Sequence, residues 1–184
     1  MIETERLVLR LPRAADADDL LEYTGDTELT RWIGGRTLDR EATVARIHEW
    51  LGRWTEDGIG HFAVERDGRV LGRVGFVVWD DRSWELSSYA EAGAHAATEL
   101  GWTLARRHWG HGYATEAARA ARRWGYGERG LGRLISLIHP ENRRSIRVAE
   151  KLGAAPERAI ETPGGPAVVW VHPASHDPRA PHAR

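Results

Sequence analysis

Apolar and polar residues alternate in short runs, and the period changes several times along the chain. Leu7-Val8-Leu9-Arg10-Leu11 is a short β-branched run stopped by Pro12, which predicts a strand. Ala17, Leu20 and Leu21 then recur at helical spacing, which predicts a short helix from Asp16 to Tyr23. Residues 25–37 carry no period and break at Gly34-Gly35. Val44, Ile47, Trp50, Leu51 and Trp54 share one face of a helix over 40–54, with Asp39 as its N-cap and Gly58 beyond its end.

The period then falls to two. His61 to Glu65 and Val70 to Trp79 read as strands joined by Asp67-Gly68, a strong hairpin signal, with Gly72 and Gly75 as expected bulges. The polar, Ala-rich stretch 80–98 reads as a loop with one helical turn. Glu99 to Leu104 reads as a strand, 113–128 as an Ala- and Arg-rich helix, and Leu134 to Ile138 as an apolar strand ended by Pro140. Glu141 to Leu152 reads as a helix closed by Gly153 at its C′ position. Short strands near 159–161 and 167–171 flank the turn Pro163-Gly164-Gly165-Pro166.

The order is β-α-α-β-β-β-α-β-α-β-β. Hairpins beside βαβ crossovers require a mixed sheet with helices packed on it. The expected fold class is α+β: one domain over 1–172, with a twisted, mostly antiparallel sheet of about seven strands and helices on both faces. Residues 173–184 are expected to be a disordered tail. His172, His176 and His182 are read as tail residues without a specific role.

A chain of 184 residues that is 41% hydrophobic has enough core for one domain. Twenty-six Lys and Arg against 27 Asp and Glu argue against a general nucleic-acid binder. The absence of cysteine rules out disulfides, thiolate metal sites and a Cys nucleophile. No apolar run approaches a membrane span, and the start lacks the pattern of a signal peptide, so a cytoplasmic protein is expected.

Chemistry concentrates in Arg107-His108-Trp109-Gly110-His111-Gly112, which joins a strand to a helix. Gly110 and Gly112 let backbone amides approach a ligand, and the helix starting at Tyr113-Ala114-Thr115 aims its positive end at the same point. With Arg106 and Arg107 nearby, this suits a pyrophosphate. A plain strand-to-helix turn with solvated arginines fits the same spacing. The Walker-type and Rossmann-type glycine patterns are absent. His108 and His111 have no third ligand in sequence reach, and no metal is assigned.

Arg107-x-x-Gly110-x-Gly112 resembles the Q/R-x-x-G-x-G/A signature of the GNAT acyl-CoA N-acetyltransferases. The run Trp109 to Ala117 is similar to the branch holding ribosomal-protein N-terminal acetyltransferases of the RimJ/RimL type. Glu5 to Arg10, Glu99 to Trp102, and Asn142 to Val148 with Glu150 to Gly153 resemble other segments of that branch, in the same order. Ala154 replaces the usual aromatic, with looser packing expected there, and the stretch between Trp79 and Glu99 is longer than the pattern.

The resemblance implies acetyl-CoA as cosubstrate and an amine acceptor, either a protein N-terminus or a small molecule. It implies no metal, no nucleic acid and no membrane, and a monomer or homodimer. Gly110, His111, Gly112, Tyr113, Ala114 and Thr115 would hold the pyrophosphate, with Arg107 behind them. Leu104 and Ala105 would pair with the pantetheine arm as an added strand. Asn142 would bind that arm or cap the helix after it. Glu99 is the candidate base, or a strand-end carboxylate; Ser145 is the candidate donor to the leaving sulfur, or a helix-surface serine. Trp50 and Trp54 read as core, and Trp32 as a candidate acceptor wall. A non-catalytic acyl-CoA-binding protein on the same fold is the alternative.

Overall fold

The computed structural model describes residues 1–174. β1 (Ile2–Glu3) and β2 (Val8–Arg10) lead through a 3-10 turn (Ala14–Asp16) to α1 (Ala17–Thr24), α2 (Thr27–Thr30) and α3 (Arg40–Glu56). β3 (His61–Arg66) and β4 (Arg69–Asp80) follow, then β5 (Glu85–Ser87), α4 (Tyr89–Ala92) and a 3-10 turn (Gly93–His95). β6 (Ala96–Leu104) passes through a 3-10 turn (Arg106–His108) into α5 (Tyr113–Gly127). β7 (Leu134–Ile138), α6 (Arg143–Lys151), β8 (Ala155–Thr162) and β9 (Gly165–Val171) complete the described chain.

The β3–β4 hairpin turns at Asp67 (φ 51°) and Gly68 (φ 75°), the two positive φ values a type I′ turn needs. Val64 pairs with Gly72 but Glu65 pairs with Val70, so Leu71 is an extra residue on β4. That bulge reverses the facing of the strand. Leu71 joins the core under α5, and Val70 joins the core under α1 and α3. Gly75 is not a second bulge. A Cβ there would run into the carbonyl of Gly60, so the glycine permits close strand approach.

Among the described residues the sheet has nine strands, in the order β1-β2-β3-β4-β6-β7-β9-β8, with β5 paired to β4 beyond its hairpin. The count exceeds seven because Ile2–Glu3 pairs with β2, and Glu85–Ser87 turns the expected loop into a further hairpin. Helices cover both faces. Val74, Phe76, Leu100 and Leu104 pack under α5. Ala63 and Val70 pack under Leu20, Tyr23, Ile47 and Trp50 of α1 and α3.

The site depends on the junction of β6 and β7. They are parallel and pair only at Thr98 with Leu134 and Glu99 with Ile135. Beyond that point they diverge, so one edge of β6 has no strand beside it from Leu100 to Leu104. At the base of this V, the Ser136 hydroxyl donates to the Leu100 carbonyl at 2.6 Å and contacts His172 Nε2 at 2.9 Å.

His172 is therefore not a tail residue. It is buried, and its amide donates to the Leu134 carbonyl. The next residue, Pro173, accepts from the Tyr126 hydroxyl at 3.1 Å. The remaining expected tail, 175–184 with His176 and His182, lies outside the described residues. Ala154 does not loosen its surroundings; it is buried with Ile138, Ala149 and Trp170.

Candidate active site

α5 begins at Gly112, whose left-handed φ of 83° is open to glycine at little cost, and no side chain caps its first amides. Gly110 has φ 82°, and a Cβ there would meet no protein atom. A cavity of about 320 Å³ lies against this turn, lined by Gly110, Gly112, Tyr113, Ala114 and Thr115. Arg6 fixes the turn from below. It is bound to Glu116 on α5 at 2.6 Å and donates to the His111 carbonyl at 3.1 Å.

Asn142 and Ser145 line the same cavity from α6. The Asn142 side chain caps that helix, accepting from the Ser145 amide at 3.2 Å. The two roles weighed for it are compatible, because its amide NH₂ takes no part in that bond. Leu104 lines the cavity at the free edge of β6, and its carbonyl accepts from Trp109 Nε1 at 2.7 Å.

Other expected site residues lie elsewhere. Arg107 is turned to Glu22 at 2.7 Å and is absent from the cavity wall, because the 3-10 turn points it back over α1. Ala105 is buried and its amide already donates to the Leu71 carbonyl, so it has no free donor for a ligand. His111 is exposed and stacks on Tyr113, with centroids 5.5 Å apart, outside the cavity wall.

The positive charge comes instead from α6. Arg144, Arg147 and Lys151 line the cavity, and the Arg144 guanidinium lies 4.3 Å from the Trp109 ring centroid. Their three- and four-residue spacing on one helix face was visible in the sequence and points to this role.

The cavity also reaches the opposite face of the sheet. Trp102 and Leu104 line it from the α5 side, whereas Thr103 points the other way, toward Leu29, Trp32 and Ile33. Trp32 stands against His139, centroids 5.0 Å apart, at the mouth on that side. Trp50 and Trp54 are packed, as their helical spacing predicts. Among the described residues no cluster of three or more metal-ligating side chains occurs.

Glu99 sits on the Thr103 face, outside the cavity wall, with Gly101 between it and Thr103. Its Oε2 accepts from Trp79 Nε1 at 2.6 Å and its Oε1 from the Leu137 amide at 3.2 Å. Burial raises its pKa above the usual carboxylate range, against the opposing pull of these two donors and of Arg73. Such a carboxylate can accept a proton from an amine brought to this face. It stands beside the last β6–β7 ladder pair, where the free edge begins.

A family model described as an acetyltransferase (GNAT) domain matches residues 6–155. YkkB of Bacillus subtilis (strain 168), an uncharacterized protein, is 39% identical over 175 residues, covering 91% of this chain and 92% of YkkB. The acetyltransferase from Agrobacterium tumefaciens str. C58 superposes with a TM-score of 0.74 at 27% identity, covering 94% of this chain and 93% of that one. AAC(6')-Ib, solved with paromomycin and acetyl-CoA, shares the fold at a TM-score of 0.72 and 20% identity, covering 98% of this chain and 100% of that one.

Proposed function

The chain belongs to the GNAT acetyltransferase family, and from that premise we propose that it transfers the acetyl group of acetyl-CoA directly to a primary amine, with Glu99 as the base. The observation that carries this is the cavity through the splayed strands. It joins the uncapped start of α5 on one face to the face bearing Glu99 on the other. The acetyl-CoA complex of AAC(6')-Ib, on the same fold, supports the cosubstrate.

The amides of Tyr113 and Ala114, with Gly110 and Gly112, suit a pyrophosphate, because the helix start offers donors and a positive potential. A glycine at 110 leaves open space where any side chain would stand. Arg144, Arg147 and Lys151 add charge at the rim. The free edge of β6 offers backbone groups near Trp102 to an extended pantetheine arm.

In the reaction the amine nitrogen attacks the thioester carbonyl carbon, the C–S bond breaks, and CoA leaves as a thiolate. The nitrogen loses a proton to Glu99, directly or through one water. Ser145, on the cofactor side, donates a hydrogen bond to the developing thiolate. The RimJ/RimL resemblance favours a protein N-terminal amine; a small amine fits the same chemistry.

Release of free thiol from acetyl-CoA in the presence of amines and peptides tests the proposal. Turnover dependent on an acceptor is expected. Tight acetyl-CoA binding with no thiol release from any acceptor would favour the non-catalytic reading.

A further inference from the structure

β4 and β6 pair in register, so Arg73 stands opposite Thr103, Gly75 opposite Gly101, and Val77 opposite Glu99. The period of two puts all six on one face. Two facing glycines therefore leave bare backbone between Arg73 and Glu99. A Cβ placed on Gly101 would lie 3.7 Å from Glu99 Oε1 and 3.9 Å from Arg73 Nη1, with nothing nearer. Both charged ends lean over the same empty point, yet they form no ion pair with each other. Arg73, Val77, Glu99 and Gly101 are each partly exposed, so the slot is open.

Arg73 feels the Glu99 carboxylate across the glycines but makes no contact ion pair. Among the described residues it has no carboxylate in ion-pair contact. Its Nη1 lies 2.7 Å from His61 Nε2, and its guanidinium carbon 5.6 Å from the Trp50 ring centroid. His61 is buried, and burial together with the Arg73 charge keeps it neutral, so it accepts from Arg73 and neutralises nothing. The Tyr23 hydroxyl lies beside Arg73, and one buried hydroxyl on this side, Thr103, has no hydrogen-bond partner. A half-buried guanidinium with no carboxylate in contact, beside a buried hydroxyl without a partner, is costly unless something fills the place.

Resting on the acetyltransferase reading above, we propose that the acceptor is a small amine carrying its own carboxylate, a free amino acid or close analogue. The slot between Gly75 and Gly101 would hold it, with its carboxylate on Arg73 and its nitrogen at Glu99. One molecule then satisfies both ends. The guanidinium grips the carboxylate by charge-assisted hydrogen bonds; the ammonium gives one proton to Glu99 to become the attacking amine, and the second, released as the amide forms, goes to the departing CoA thiolate. In an α-amino acid a single carbon separates nitrogen from carboxyl, which suits two charged groups that approach one point without touching. A polycationic amine would place positive charge against Arg73, and this slot disfavours it.

The test is thiol release from acetyl-CoA with matched acceptors: a panel of free amino acids, and the same compounds with the carboxylate converted to carboxamide. The acids are expected to exceed their carboxamides in kcat/KM by about 10- to 100-fold, the worth of a charge-assisted hydrogen bond. Arg73→Gln should collapse that ratio toward one, chiefly through KM, and Arg73→Lys should keep part of it. The comparison on the unaltered enzyme needs no variant, so a poorly folding Arg73→Gln does not spoil it. Carboxamides used as well as acids, or a preference that survives Arg73→Gln, would overturn the slot and leave the acetyltransferase intact. Failure of every amine, acid and amide alike, would tell against the acetyltransferase reading itself.

Discussion

A buried carboxylate keeps its proton to higher pH than a free one, even where an indole, a backbone amide and a nearby guanidinium pull the other way. Glu99 is in that position. Because its pKa is raised, the basic form appears only as pH climbs past the usual carboxylate range, and the acid limb of kcat/KM should follow it. Glu99→Gln should lower the rate near neutral pH by about 10²–10⁴, with the deficit shrinking at high pH as the free amine becomes abundant. A pH–rate profile with one good acceptor measures this; equal rates near pH 7 would reduce Glu99 to a structural role. Gly110 is the corresponding residue on the cofactor side. Its φ of 82° makes Gly110→Ala cost about 1–2 kcal/mol in backbone strain, yet the added methyl meets no protein atom. The folded variant should bind acetyl-CoA at least tenfold more weakly by calorimetry, because the methyl stands where a pyrophosphate must approach. Unchanged affinity would move the phosphate site elsewhere.

At the scale of elements, the V between β6 and β7 is held at its base by Ser136 and His172. Burial, with the nearby Arg122 charge, lowers the His172 pKa to about 4 from 6.5. A base depressed in the folded state adds stability above its ordinary pKa and loses it as pH falls. Here the window runs from about pH 6.5 to 4, and the loss reaches about 3 kcal/mol. His172→Gln removes that titration, so its acid-unfolding midpoint should move to lower pH relative to the neutral-pH stability of the variant. Circular dichroism across that window checks it, and a curve parallel to wild type would deny His172 the role. None of this was legible beforehand, since a histidine before Pro173 in a Pro-rich end reads as tail. Elements whose period is set by their own core face were legible. α3 follows from Val44, Ile47 and Trp50, and β7 from four apolar residues, two on either side of Ser136. Residues 80–98 were not, because β5 is a mostly exposed strand and Trp84 reaches its buried place only by adopting φ 56°. The glycine turn that opens α5 was legible because its glycines and the helix behind them are contiguous. Arg73 was not, since its meaning depends on which residues lie across the ladder.

For the whole molecule, the sheet is a wall that opens where β6 and β7 part. α5 and α6 cover the face that offers amides and cations; α1 to α3 and the 80–95 excursion border the face that offers Glu99 and Arg73. On the proposed reading, two substrates would arrive from opposite faces and meet at the free edge of β6, so neither would block the other. The chain has no cysteine, and among the described residues Ser145 has no histidine or carboxylate in hydrogen-bond contact to make it a nucleophile. Both substrates should therefore be bound before either product leaves. Initial rates at varied acetyl-CoA and acceptor should give intersecting double-reciprocal lines, and the intact mass after incubation with acetyl-CoA alone should show no acetyl adduct. Parallel lines together with a stoichiometric acetylated chain that passes its acetyl group to the acceptor would mean that the opening hides a nucleophile, and that direct attack across the sheet is wrong.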